Sequence, residues 1–151
     1  AMLSLSRSID VAALTFSTES ISSAAALALI DAAVNKANAM GVAVAVAVVD
    51  TDGMLKAFHR MDHTPVIAVD AVPAKARAAL MGLSTEELAE ALSNNQANLL
   101  SMVTMKDVTL LGGGLPIRSG EKIIGAIGVG GALTEEDVKI GEAALAVLES
   151  M

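Results

Sequence analysis

The stretch that decides the fold is GVAVAVAVVDTDGMLKAFHRMD, from Gly41 to Asp62. From Val42 to Val48, Val and Ala alternate. Successive side chains of a strand point to opposite faces, so Val lines one face of this strand and Ala lines the other. Because neither face is polar, the pattern predicts a strand in the middle of a sheet, covered on both sides by helices or by another subunit.

A tight turn follows this strand. Residues 50–53 read DTDG, and Asp-Gly is a dipeptide that tolerates the positive φ of a hairpin turn. The chain then returns through Met54 to Phe58, which predicts two antiparallel strands. The return strand runs into HRMDH, residues 59–63, which holds both histidines of the chain. This polar cluster is therefore the first candidate for a functional site.

The composition predicts one domain with an aliphatic core. The chain has 151 residues, of which 54% are hydrophobic, and its only aromatic residues are two Phe. We expect a single domain over residues 1–151, with residues 1–16 as an N-terminal arm because they show no clean periodicity. The longest apolar run, Val42 to Val49, is far too short to span a bilayer.

Charge and cysteine content narrow the partners and the location. The formal net charge of −7 disfavours nucleic acid and anionic membranes, since no basic cluster offsets it. The chain has no cysteine, which excludes disulfides and thiolate metal sites. With no signal sequence evident, we predict a cytoplasmic protein whose partners are a small molecule or further copies of itself.

Caps and breakers predict most of the helices. Ser, Thr and Asp accept hydrogen bonds from the free N–H groups of a first turn, and Gly ends a helix by adopting positive φ. We therefore predict a first helix over residues 19–40, capped by Ser17 or Thr18 and ended by Gly41. A capping box predicts a second helix from Ser84 to about residue 93, with residues 97–102 as its continuation or as a separate turn. A third helix is predicted from Thr134 to about residue 149.

A proline shapes the prediction between the hairpin and residue 84. Thr64-Pro65 is typical of a helix start, with Thr as the cap and Pro in the first turn. Pro73 then interrupts the helical pattern, because it cannot donate a backbone hydrogen bond and clashes with the preceding turn. We expect Asp70 to cap a separate segment that holds Pro73 in its first turn and stops at Gly82.

Three further strands complete the fold prediction. They cover residues 108–111, 115–118 and 122–129, with the glycines at 112–114 as a loop or bulge between the first two. Strand pairs on both sides of a helical insert imply an α+β fold, with a mostly antiparallel sheet of about five strands and flanking helices.

Four motifs in this order resemble the GlcG/HbpS-like family, whose domain also forms the C-terminal part of PduO-type proteins. They are VVDTDGMLKAFHRMD, AKARAAL, GGGLPI and IIGAIGVGG, and the resemblance covers residues 20–148. The resemblance implies a profilin- or PAS-like sheet and homo-oligomers, from dimers up to octamers. It also implies haem binding in some members.

The chain departs from the family pattern in three places. His63 stands where the family usually has Gly after Arg-Met-Asp, and Gly130 stands where it often has Ser. In one branch of the family, haem ligation is attributed to a histidine near the first helix. This chain has no histidine there, so that role is not carried over to it.

The polar cluster after the hairpin supplies the first candidate ligand-binding residues. His59 and His63 can bind haem or line a pocket, and Arg60 can fork onto a ligand carboxylate, because a guanidinium matches a carboxylate in bidentate fashion. Asp62 can pair with Arg60 or brace the loop. Thr64-Pro65 places His63 in a loop rather than on a helix face, so we predict no metal site despite the spacing of the two histidines.

Two other segments supply further candidates. Lys75 lies in an Ala-rich helix, where a partly buried amine can pair with a carboxylate or react. Gly112, Gly113, Gly114 and Pro116 can bring backbone N–H groups close to an anion, although a bulge explains the glycines equally well. We expect a pocket between residues 59–64, the helix that carries Lys75, and the loop from Gly112 to Pro116.

Three functions fit these residues. The first is a homo-oligomeric, non-enzymatic protein that binds a small apolar, anionic ligand, with haem as the best-motivated choice. The second is an enzyme acting on a small organic acid, with His59 or His63 as the acid or base and Arg60 or Lys75 as the carboxylate anchor. The third is a structural oligomer without a ligand, suggested by the two apolar faces of the central strand.

Overall fold

The computed structural model describes residues 13–151. The predicted N-terminal arm therefore lies almost entirely outside the described residues. Five helices and four strands make up the described part of the chain, in the order α1 (Ser23–Met40), β1 (Ala45–Asp50), β2 (Leu55–Arg60), α2 (Ile67–Ala79), α3 (Thr85–Leu92), α4 (Gln96–Val103), β3 (Gly114–Ser119), β4 (Lys122–Gly130) and α5 (Thr134–Glu149). The α+β class is confirmed.

The four strands form one open antiparallel sheet in the order β2-β1-β4-β3. β1 pairs with β2 so that Val46 faces His59 and Val48 faces Ala57. Its other edge pairs with β4, where Val46 faces Val129. The predicted hairpin and the central position of its first strand are both confirmed.

The two faces of β1 pack against different helices of the same chain. Val44, Val46 and Val48 lie in the main core with residues of α1 and α5. Ala45 and Ala47 lie in a second cluster with side chains of α2. All five side chains are fully buried. Of the two expected ways to cover this strand, by helices or by another subunit, the structure shows the first, because helices of one chain cover both faces.

The hairpin turn is built around one aspartate. Asp50 accepts hydrogen bonds through Oδ1 from the N–H groups of Asp52 (2.9 Å) and Met54 (3.1 Å). Gly53 donates its N–H to the Asp50 carbonyl at 3.0 Å and has a φ of +77°. The predicted Asp-Gly turn is therefore confirmed.

α1 starts later than its predicted caps. Ile21 donates its N–H to the Ile124 carbonyl of β4 at 2.8 Å, so the chain is still held along the sheet at this point. Ser22 is the cap instead, accepting the Ala25 N–H at 3.1 Å. At the other end Gly41 has a φ of +70° and closes the helix as predicted.

α2 is one continuous helix, contrary to the prediction of a break near Asp70. Asp70 lies in its first turn and Pro73 in its interior, while the predicted cap Thr64 bonds to the Met61 carbonyl instead. Val72 and Ala76 are fully buried on either side of the proline. Packing of this face across the sheet therefore outweighs the hydrogen bond that Pro73 cannot make.

Two other helix predictions are settled by their caps. The Ser84–Glu87 capping box is present, with Ser84 Oγ accepting the Glu87 N–H at 3.1 Å and the Glu87 carboxylate accepting the Ser84 N–H at 2.9 Å. Asn95 caps a separate helix, α4, by accepting the Asn98 N–H at 3.0 Å. Residues 97–102 are thus not a continuation of α3.

The predicted strand over residues 108–111 is wrong, and the sheet of about five strands is not confirmed. Gly113 has a φ of +116°, and pairing with β4 begins only after it, where Gly114 faces Gly128. A side chain at Gly112 would meet Thr134 and Glu86, at the starts of α5 and α3. The segment therefore leads past two helix ends rather than along a sheet edge.

No helix in the span from residue 13 to the C-terminus is long and apolar enough to cross a membrane.

We expect Gly128→Ala to destabilise the protein by more than about 3 kcal/mol in urea unfolding. A Cβ at Gly128 would overlap the Val72 carbonyl oxygen, because α2 lies directly on β4 at this point. Gly120→Ala is the matched control, since it adds the same methyl where no atom lies within 4 Å. Its positive φ costs about 1 kcal/mol. Equal losses in the two variants would contradict the close approach of α2 to β4.

Candidate functional site

The structure distributes the predicted site residues over three hollows. His59, Asp62 and His63 line a groove of about 540 Å³, here called the histidine groove. Lys75 lines a separate cavity of about 280 Å³, the lysine pocket. Gly113, Gly114 and Pro116 border a third hollow, of about 630 Å³. A single pocket between the three segments is therefore not formed within one chain.

The histidine groove lies between the end of α1 and the loop that follows β2. Val34 and Asn38 of α1 form one wall, with residues 41–43 and 61–63 forming the others. His59 points to the α1 side of β2, because it pairs with Val46, whose side chain packs in the core below α1. Both imidazoles are exposed and accessible from the groove.

His63 adopts a conformation that suits glycine better. Its φ is +68°, in the left-handed region that non-glycine residues seldom occupy. The resemblance implied Gly at this position, and the backbone explains that preference. A histidine in this conformation costs about 1 kcal/mol or more of folding free energy, and such strain is typical of residues with a functional side chain.

Arg60 does not join His59 and Asp62 in the histidine groove. Arg60 pairs with Ala45 and therefore lies on the α2 side of β2, opposite to His59. Asp62 borders the histidine groove. Among residues 13–151, no ion pair links Arg60 to Asp62. Met61, between them, accepts the Val44 N–H through its sulfur at 3.4 Å and so ties the loop to the start of β1.

The lysine pocket contains a buried ion pair. Lys75 is 4% exposed and Asp137 is 3% exposed. Lys75 Nζ lies 3.3 Å from Asp137 Oδ2 and donates a hydrogen bond of 2.8 Å to the Val129 carbonyl. The second carboxylate oxygen accepts the Ala132 N–H at 3.1 Å. The pair thus connects α2, β4 and α5.

Burial shifts the pKa of each partner in the direction that favours its uncharged form. Loss of hydration lowers the pKa of the Lys75 amine, and the Asp137 carboxylate opposes this shift. The same loss of hydration raises the pKa of Asp137, against the charge of Lys75 and the hydrogen bond from Ala132. Buried titratable groups with shifted pKa values beside a cavity are typical of functional sites.

The sequence did not identify Asp137 as a site residue. It is one of three acidic residues in the first turn of α5, where the helix dipole by itself accounts for a carboxylate. A usable signal is its spacing, since Asp137, Ile140, Gly141 and Ala144 follow the period of a helix and are all buried. An acidic residue on a buried helical stripe needs a partner, and Lys75 in the Ala-rich face of α2 was the available cation.

Two backbone groups of the glycine segment are already occupied. Gly114 donates its N–H to the buried hydroxyl of Thr85 at 3.0 Å, and the Gly113 carbonyl accepts the Val129 N–H at 2.9 Å. A Cβ at Gly114 would overlap the Lys75 carbonyl. These glycines therefore allow β3 to approach α2 closely. The register shift of β3 falls later in the strand, between Ile117 and Arg118.

A central antiparallel sheet, with α2 on one face and α1 and α5 on the other, defines a small α+β domain with hollows at its rim. The chain belongs to the HbpS-like family, because the model for "Haem degrading protein HbpS-like" matches residues 21–146. The resemblance seen in its motifs is thereby confirmed.

Individual relatives support this assignment. Protein GlcG of Escherichia coli K12 is 36% identical over 104 residues, which cover 69% of this chain and 76% of GlcG. The solved structure of Klebsiella pneumoniae protein ORFY has a TM-score of 0.85 and 31% identity, covering 91% of this chain and 96% of ORFY. The structure of a PduOC:heme complex has a TM-score of 0.77 and 28% identity, covering 84% of this chain and 94% of that one.

We expect Asp137→Asn to cost about 3–5 kcal/mol of unfolding free energy at pH 7, because it leaves a buried ammonium without its carboxylate. A group with a lowered pKa in the folded state gives stability that is present above its unfolded value, here 10.5, and is lost as the pH falls through the folded value. The difference in unfolding free energy between Asp137→Asn and the unmodified protein should therefore become smaller as the pH rises toward 10.5.

The matched control is Glu135→Gln, which removes a neighbouring first-turn carboxylate that is exposed. It should change stability by no more than about 0.5 kcal/mol. Urea unfolding at pH 7 and pH 10 measures both variants. A loss in Asp137→Asn that does not change with pH would contradict a charged Lys75 as its cause.

Proposed function

We propose that this protein binds haem, or a related small apolar and anionic ligand, in the histidine groove. The observation that carries the proposal is that one open groove presents two imidazoles beside apolar side chains. Support comes from the similar PduOC structure, which is a haem complex, and from the haem-related description of the family. We also propose that the protein is cytoplasmic.

The residues of the groove fit such a ligand. Neutral imidazole is a common protein ligand for iron, and either His59 or His63 can offer one. Val34 and Val42 supply apolar contacts for a macrocycle. The groove has about 540 Å³ and lies within the range of small-molecule sites, which is roughly 300–1,000 Å³. Haem, when bound, supplies an iron centre, and the protein supplies the donor and the apolar walls.

The geometry favours binding over the second function, catalysis on a small organic acid. That function required a histidine and a carboxylate anchor in one pocket. Lys75 lies in a different hollow and is already paired with Asp137. Arg60 lies on the opposite side of β2 from His59. Neither histidine therefore shares a hollow with the cation that it would need.

We also propose that copies of the chain associate through the α2 side of β2. α2 packs across β1, β3 and β4, which leaves this side of the edge strand open. Leu55 and Phe58 lie there, 51% and 38% exposed. An edge strand that exposes two large apolar side chains offers a pairing surface for a second copy. The proposed assemblies range from dimers up to octamers.

Haemin added to the purified protein should give a sharp Soret band that saturates at a defined stoichiometry. His59→Ala or His63→Ala should weaken binding by tenfold or more, because the loss of a metal ligand or of its orienting partner typically costs about 10–100-fold. Absorption titration measures the affinity of each variant, and thermal unfolding shows that each is folded.

Arg60→Ala is the matched control, since it removes a neighbouring side chain on the other side of the same strand. It should leave the titration unchanged. A broad spectrum that never saturates, or one that neither histidine variant alters, would exclude haem from this groove.

Phe58→Glu should shift sedimentation toward the monomer, because a charge buried at an apolar contact is costly. Leu27→Glu is the control, as Leu27 is 56% exposed on α1, on the far side of the sheet. It should sediment like the unmodified protein. A protein that is strictly monomeric at micromolar concentration would refute the proposed association.

A further inference from the structure

The lysine pocket is an apolar cavity with one buried ion pair on its wall. Its lining includes Ile67, Ala68 and Ala71 of α2, with Leu111 opposite at an exposed rim. The buried polar side chains that reach it are those of Lys75 and Asp137. At about 280 Å³ it lies just under the usual range for drug-sized ligands, so its size suits a molecule of only a few heavy atoms.

The space beside the Lys75 amine is kept open by a glycine. Gly130 borders the cavity, and a Cβ placed on it would lie 3.2 Å from Lys75 Nζ. Any side chain at this position would therefore occupy the volume next to the amine. With Gly130 in place, no Cβ from β4 covers the amine on the side of the cavity that both residues line.

The amine has a hydrogen-bond donor to spare. A lysine ammonium has three N–H donors and no acceptor. Two of them are used, by the Val129 carbonyl at 2.8 Å and by Asp137 Oδ2 at 3.3 Å. Each Asp137 oxygen accepts one of the chain's own hydrogen bonds, from Lys75 or from the Ala132 N–H. The pocket thus offers a ligand one charged N–H donor.

The charge balance of the pocket selects against ions. Lys75 and Asp137 neutralise each other, so a carboxylate entering the cavity would bring an uncompensated charge into an apolar space. The group that matches the free N–H of Lys75 is a neutral hydrogen-bond acceptor, and a carbonyl oxygen is the simplest one.

We propose that the lysine pocket is a binding site for a short, neutral carbonyl compound, a ketone or aldehyde of about four carbons, whose oxygen accepts the third N–H of Lys75. The alkyl part contacts Ile67, Ala68 and Ala71. The site is separate from the histidine groove and does not depend on haem binding there.

The probe is 2-butanone labelled with ¹³C at its carbonyl, titrated into the full chain and followed by NMR. A hydrogen bond from an ammonium withdraws electrons from the carbonyl, so its ¹³C resonance should move downfield and saturate. A ligand of this size is expected to have a Kd of about 1 mM. Butanoate, with the same number of carbons but a negative charge, should bind at least about tenfold more weakly.

Two variants test the residues. Ala71→Leu fills the cavity while leaving the amine in place, and it should abolish saturation, whereas Ala74→Leu on the same helix does not line the cavity and should bind normally. Lys75→Met should lose about tenfold in affinity, the value of a hydrogen bond to a charged group. If Lys75→Met does not fold, Ala71→Leu and its control decide the matter.

Three results would overturn the proposal. They are butanoate binding as tightly as 2-butanone, a ¹³C shift that Ala71→Leu leaves unchanged, and no saturable shift in the unmodified protein up to about 100 times the expected Kd.

Discussion

Complete burial of β1 on both faces is the constraint on which the rest of the structure depends. A strand with no polar face must be covered twice, and this chain does so with α1 and α5 on the Val side and α2 on the Ala side. The small side chains of the Ala side let α2 lie close to the sheet. That closeness brings Lys75 within hydrogen-bond distance of the Val129 carbonyl and so creates the buried ion pair.

The alternation of side chains along β2 places the candidate residues of this strand on opposite sides of the sheet. β2 alternates its side chains, so His59 faces α1 and Arg60 faces the side of α2. Because consecutive side chains of a strand lie on opposite faces of the sheet, they do not line the same pocket. The histidine groove and the lysine pocket therefore differ in character: one is open and offers imidazoles, and the other is apolar and offers a single donor.

Much of this fold was predictable from local sequence, because its signals are local. The Asp50 turn, the Gly41 helix end and the Ser84 capping box each depend on residues within a few positions of one another, and each was found. The wrong predictions concern segments whose structure depends on contacts with residues far away in the sequence. Pro73 stays inside a helix because α2 packs across the sheet. The chain just before β3 runs past the starts of α3 and α5, where a Cβ at Gly112 would meet Glu86 and Thr134.

The candidate site divides in the same way. The histidines stood out by composition, but their placement on one side of β2 depends on strand register, which the sequence does not display. Lys75 was identified, whereas its partner Asp137 lies 62 positions away in the chain. Only the folded structure brings the two together.

Two glycines of β4 show how tightly the protein is fitted along this strand. A Cβ at Gly125 would overlap the Val49 carbonyl and one at Gly128 would overlap the Val72 carbonyl, so backbone touches backbone at both points. Inserting or deleting a single residue here would push a bulkier neighbour into one of those carbonyls. A change of length along residues 125–130 is therefore costly, whereas a connection such as residues 104–107, where the side chains are exposed, has room to lengthen or shorten.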